Sequence, residues 1–146
     1  MGSKLGFAET GPEDEKLITE LLDWMHKNSA DFTNTFLNLC KEEIPDGALY
    51  ASESFQSWHV HWQNRLRKEE QGLKRSFALM RSVNPTVIPR NHKVEEALQA
   101  GEGGNFNPFH DLLHAVEKPY MDGDHFLSYQ APPEPSEKVL QTFCGT

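Results

Sequence analysis

The segment Asn84-Pro85-Thr86-Val87-Ile88-Pro89-Arg90-Asn91-His92-Lys93-Val94-Glu95-Glu96-Ala97-Leu98 restricts this chain more than any other. Pro85 and Pro89 fix their own φ and bias the residues before them, Asn84 and Ile88, towards extended geometry. No helix arriving at Asn84 can run on through them, so the chain must turn. Asn91 then offers a side chain that can cap a following helix, with Val94, Ala97 and Leu98 on its apolar face. Arg90 stands at the mouth of the turn. Its planar fork of donors can brace carbonyls or carboxylates of neighbouring helices, or bind an anionic ligand. Arg90 and Asn91 are the expected structural brace.

Helical periods lie on both sides of this corner. Thr10-Gly11-Pro12-Glu13 has capping-box spacing, an acidic run follows, and Leu17, Ile18, Leu21, Leu22 and Met25 recur at helical intervals, which predicts a helix over 11–27. Ser29 or Asp31 can cap a second helix carrying Phe32, Phe36, Leu39 and Cys40, and the short link implies an antiparallel hairpin. After the Pro45-Asp46-Gly47 turn, a third helix begins near Ser52 or Ser54 and places Phe55, Trp58, Trp62 and Leu66 on one stripe. Residues 68–72 are polar and interrupt it. Leu73, Phe77 and Met80 restore the stripe up to the corner. Gly101 to Gly104 halts the helix after the corner, and Asn107-Pro108 restarts one carrying Phe109, Leu112, Leu113 and Val116.

From Pro119 onward four prolines, with Gly and Asp, leave no helical period. Tyr120, Phe126, Tyr129 and Phe143 favour a tail that wraps a surface. The expected architecture is all-α: a bundle of five or six helices over 11–118, an N-terminal linker or expression remnant over 1–10, and an extended Pro-rich tail over 119–146 ending in Cys-Gly-Thr.

Charge narrows the function classes. With 22 acidic and 14 basic residues the formal charge is −8, which repels nucleic-acid phosphates and anionic lipid at long range. No apolar run is long enough to span a bilayer, and no basic-then-apolar leader opens the chain. Neither nucleic acid nor membrane is expected as a partner. Cys40 and Cys144 have no disulfide-framework or zinc spacing. Cys40 falls on a helical apolar register as core filler, whereas Cys144 sits third from the end, where a thiol is usually accessible.

Catalytic signals are weak. His110-Asp111-Leu112-Leu113-His114 sets two imidazoles one helical turn apart, as in a zinc hydrolase, but with the shorter Asp for the usual Glu, and a working site also needs a third ligand. Exposed helical histidines are the plainer reading. His59 and His61, two apart, point to different faces of their helix. Gly101-Glu102-Gly103-Gly104 follows a helix and lacks Lys-Ser/Thr, so it is no phosphate loop. The residues by themselves suggest no catalytic, cofactor or metal site in this chain.

Several separated motifs do occur in a fixed order: Lys4-Leu5-Gly6-Phe7, Ala30-Asp31-Phe32-Thr33-Asn34-Thr35-Phe36, Trp58 and Trp62 with Arg65-Leu66, Asn84-Pro85 with Ile88-Pro89-Arg90-Asn91-His92, Pro119-Tyr120, and the ending Thr142-Phe143-Cys144-Gly145-Thr146. In these the chain resembles, almost end to end, the C-terminal region of the selenoprotein O family. That resemblance implies a kinase-like pseudokinase fold in the parent, with transfer of AMP from ATP to hydroxyl side chains of protein substrates (AMPylation) using magnesium or manganese. The kinase-like lysine, glutamate, metal-binding aspartate and Gly-rich loop of the family lie upstream of the matched region. The resemblance therefore implies a C-terminal helical module that packs on an upstream kinase-like domain and is inactive alone. It also implies a cytoplasmic protein if bacterial and a mitochondrial one if eukaryotic. Cys144 matches the position that holds selenocysteine or cysteine in the family, and the resemblance gives it a redox-regulatory role through a cysteine of the upstream core. The alternative is a free-standing helical adaptor that binds a partner through its Pro-rich tail or an apolar groove.

Overall fold

The computed structural model describes residues 1–41, 43–121, 123 and 126–139. Among them are seven α-helices and no strand, as the all-α expectation requires. The chain divides into two compact units, Met1–Pro85 and Thr86–Thr146. This divide falls inside the proline corner, not at Pro119.

The first unit holds α1 (Pro12–Lys27), α2 (Phe32–Leu39), α3 (Glu53–Leu66) and α4 (Leu73–Val83). Its α1 starts one residue later than the Thr10 cap implies, because Gly11 takes the cap position and Asp14 Oδ2 accepts its N–H at 2.8 Å. Asp31, not Ser29, caps α2 by accepting the Asn34 N–H at 2.8 Å. Helix α3 buries the whole expected stripe of Phe55, Trp58, Trp62 and Leu66. Each indole reaches a carbonyl: Trp58 Nε1 donates to Leu17 at 2.8 Å and Trp62 Nε1 to Leu5 at 3.0 Å. The rings are thus buried without stranding their polar edges.

The N-terminus corrects the linker expectation for residues 1–10. A 3-10 turn at Gly2–Leu5 packs against α2 and α4, and Leu5 and Phe7 are wholly buried. Too short to show a period, this segment is held by α3 and by Asn84. Asn84 Nδ2 donates to the Lys4 carbonyl at 2.9 Å, and Lys4 Nζ donates to Asn84 Oδ1 at 3.2 Å and the Val83 carbonyl at 3.0 Å. Gly6 turns the chain with φ 85°, and a Cβ there would lie 2.9 Å from Leu66 Cδ1. Only glycine meets both conditions.

In the second unit α5 (Asn91–Glu102) packs against α6 (Asn107–Glu117), followed by the single turn α7 (Leu127–Gln130) and a 3-10 turn at Pro135–Glu137. The region from Pro119 is therefore not wholly extended. Phe126 is buried with Val87 and Ala115, beside Tyr129. Thr86 ties the corner to this region, its N–H donating to the Pro119 carbonyl at 2.6 Å and its hydroxyl lying 2.8 Å from the Met121 carbonyl.

Candidate functional site

A cleft of about 640 Å³ opens in the first unit. Two helical stripes make it. His59, Trp62, Gln63, Leu66 and Arg67 recur at three- and four-residue steps along α3 and just beyond it, and Lys74, Phe77 and Arg81 do so on α4. Residues so spaced stand above one another on a helix, so each helix presents one continuous wall. Leu73 and Lys41 complete the lining.

Four cations, Lys41, Arg67, Lys74 and Arg81, surround an apolar floor, and all four are exposed. Lys41 Nζ and Arg67 Nη1 donate to the side-chain oxygens of Asn38 and Asn64 at 2.9 and 3.0 Å, and Arg81 Nη1 lies 3.5 Å from the Cys40 carbonyl. Among the described residues none of the four pairs with a carboxylate, and no carboxylate lines the cleft. His59 stacks between Phe55 (centroids 5.6 Å apart) and Trp62 (5.2 Å). Burial lowers its pKa below the ordinary imidazole value, so near pH 7 it presents a neutral ring.

Arg65, on the same helix, belongs to a different cluster that the sequence did not single out. Its Nε meets Asp14 Oδ1 at 2.7 Å, its Nη2 meets Asp14 Oδ2 at 3.1 Å, and its Nη1 meets Glu69 Oε1 at 2.6 Å. The guanidinium carbon also stands 4.5 Å from the Phe7 ring centroid. Burial raises the Asp14 pKa, but the hydrogen bonds from Arg65 and from the Gly11 N–H, with the guanidinium charge, reverse this and hold it below the usual carboxylate value. The only sequence signal was that Asp14 precedes Leu17, Leu21 and Trp24 on the buried register of α1.

The expected Arg90 and Asn91 pair separates. Arg90 takes the cap position of α5 and is buried, whereas Asn91 is the first helical residue and is exposed. Pro89 constrains Ile88, not Arg90, so the helix can begin one residue earlier than the Asn91 cap assumes. Arg90 borders a recess of about 460 Å³ shared with His92, Pro133, Glu137 and Lys138. His110 and His114 are both exposed, and His114 lies beside the Phe126 ring. Among the described residues no group of three or more His, Cys, Asp or Glu could hold a metal. Cys40 is buried, its Sγ 3.2 Å from the Phe36 carbonyl. Cys144 lies outside the described residues.

Comparison with known proteins supplies what this geometry leaves open. Residues 1–117 match the family described as Protein adenylyltransferase SelO. The chain belongs to the SelO family. Relatives named Protein nucleotidyltransferase YdiU share 50% identity in Alcanivorax borkumensis, 43% in Nitrosococcus oceani and 40% in Bacillus cereus, in each case over the whole of this chain. The chain spans 30% of the length of these SelO-family relatives and corresponds to their C-terminal part. Among the described residues no helix is long and apolar enough to cross a membrane.

Proposed function

We propose that this chain is the C-terminal helical module of a SelO-type protein adenylyltransferase, and that it supports an upstream kinase-like part which holds ATP with magnesium or manganese and transfers AMP to protein hydroxyls. The carrying observation is an apolar stripe in the second unit. Helix α6 buries Leu112 and Ala115, yet Phe109 and Leu113, with Phe106 just before the helix, are 47%, 42% and 59% exposed. A helix with two apolar faces needs cover on both. The chain spans 30% of the length of its relatives, and in a protein of that length the upstream part is the natural cover. The residues described here do not fit an ATP–metal centre: they lack a three-ligand group and a phosphate loop after a strand. No catalytic step is assigned to them.

In the same reading Arg90 braces the corner, and Cys144 is a redox handle towards a cysteine of the upstream part. Iodoacetamide should then label Cys144 rapidly in the native chain, while buried Cys40 requires unfolding.

The test is the pair Phe109→Asp and Leu113→Asp. In the full-length protein, AMP transfer to protein and melting temperature should both fall, while the 146-residue chain melts unchanged and transfers no AMP. Unaltered full-length activity and melting would refute the supporting role, and would favour the adaptor reading, in which the stripe serves a separate partner.

A further inference from the structure

We infer that the basic cleft between α3 and α4 is a docking site for an acidic segment of a separate protein, one that carries an apolar or aromatic anchor residue between carboxylates. This goes beyond the module reading and does not depend on it.

Charge distribution comes first. The chain has 22 acidic residues against 14 basic ones, so a base is ordinarily met by acids. Three bases elsewhere are so met: Arg65 by Asp14 and Glu69, Lys16 by Glu20, and Lys93 by Glu96. Around this cleft Lys41, Arg67, Lys74 and Arg81 gather with no carboxylate among the described lining residues. Long cationic side chains can lie over apolar surface merely to keep it wet. Such a role does not require that four gather with no acid among the described lining residues.

Shape comes second. About 640 Å³ between two helical walls suits a side chain and its flanking backbone. Leu73 is 45% exposed and Phe77 partly so, which gives an anchor residue apolar contact. The guanidinium groups of Arg67 and Arg81 fit carboxylates as two-pronged donors, and the two lysines supply point charges. An acidic stretch around an apolar anchor matches both the floor and the rim.

A separate protein is favoured over the upstream part of the same chain by the character of the rim. Permanently covered faces are more apolar, whereas transient interfaces keep a polar, solvated margin. Four exposed cations form a margin of the second kind. The net charge of −8 disfavours acidic partners over the surface as a whole, and the four gathered cations locally offset it.

The probe is a fluorescein-labelled peptide with one Phe flanked on both sides by Glu pairs, read by polarisation with the 146-residue chain and with the full-length protein. Saturable binding is expected to both. It should weaken at least about tenfold in the variant Lys74→Glu with Arg81→Glu, through loss of two charge contacts and added repulsion. It should also weaken as salt rises from about 0.05 to about 0.5 M, since such charges are screened within about 10 Å at 0.1 M. Replacing the peptide's Phe with Gly should cost a further several-fold. Both substituted residues are exposed, and an unchanged melting curve confirms folding. If it changes, protection of Lys41 and Lys74 from acetylation by the peptide, with Lys16 unprotected, replaces that arm. No saturable binding, equal affinity in the variant, or no protection overturns the proposal. Binding to the chain but not to the full-length protein gives the cleft to the upstream part, and tripolyphosphate competing as strongly as the peptide gives it to small anions. Either result overturns it as well.

Discussion

Arg65→Met tests the electrostatic core of the first unit. Asp14 and Glu69 keep only 4% and 7% of their side-chain surface exposed, and Arg65 itself 27%. One guanidinium therefore serves two nearly buried carboxylates. Methionine keeps most of the apolar stem but leaves both carboxylates without a cation. Removing one partner of such a cluster costs about 3–5 kcal/mol. Two charge-assisted pairings at about 1.5–3 kcal/mol each give about 3–6 kcal/mol, which overlaps that range. The Gly11 N–H still reaches Asp14, and the Ala8 N–H and Gln71 Nε2 still reach Glu69, which favours the lower end. Lost contact of the cation with Phe7 adds about 0.5–1 kcal/mol.

The pH dependence follows from Asp14. Its folded pKa is lowered, so in the wild type its contribution is present above the unfolded value and is lost as pH falls through the folded one. Without Arg65, only the Gly11 N–H still opposes burial, the largest influence, so the folded pKa of Asp14 rises. The variant's deficit is then largest near pH 7 and shrinks as acid neutralises the carboxyl. Urea unfolding followed by tryptophan fluorescence suits the measurement, because Trp24, Trp58 and Trp62 all lie in Met1–Pro85. Arg65→Lys keeps charge but loses the fork, and should fall between wild type and Met. A deficit below about 1 kcal/mol at pH 7, the size of an exposed pair, or one unchanged at pH 4, would refute the argument.

Trp62→Ala should cost about 3–5 kcal/mol, since the ring is 2% exposed and its Nε1 serves the Leu5 carbonyl; urea midpoints equal to wild type would exclude that packing. His59 has a lowered folded pKa from burial, so the unfolded chain takes up its proton first on acidification. Stability should drop as pH falls below about 6.5, and His59→Gln should flatten that part of the profile. Thr86→Val keeps the shape but leaves the Met121 carbonyl without the hydroxyl. Faster amide exchange in the second unit is expected, with a loss of about 1–2 kcal/mol; unchanged exchange would show that this bond holds nothing.

Long periodic segments were legible from residues alone. The Phe55, Trp58, Trp62 and Leu66 stripe is buried as spacing demands, and Cys40 is core filler. Helix starts were less legible, because a cap depends on which backbone turns first. Arg90 and Phe106 hold the cap positions expected of Asn91 and Asn107, while Asn105 Oδ1 accepts the Asn107 N–H at 3.2 Å. Leu98 and Leu113 share the expected apolar faces yet are 55% and 42% exposed. Helical period says which residues align, but not which face finds a neighbour.

Class and kinship thus belong to the sequence, since both rest on local order along the chain: helical periods, proline punctuation and the succession of motifs. Tertiary structure decided what depends on residues far apart. It brought Leu5 and Phe7 into the core, joined Asp14 to Arg65 across 51 positions, and set the stripes of α3 and α4 facing one cleft. A three-residue apolar segment or a single buried carboxylate has no period of its own. Its place is fixed by partners that become neighbours only after folding.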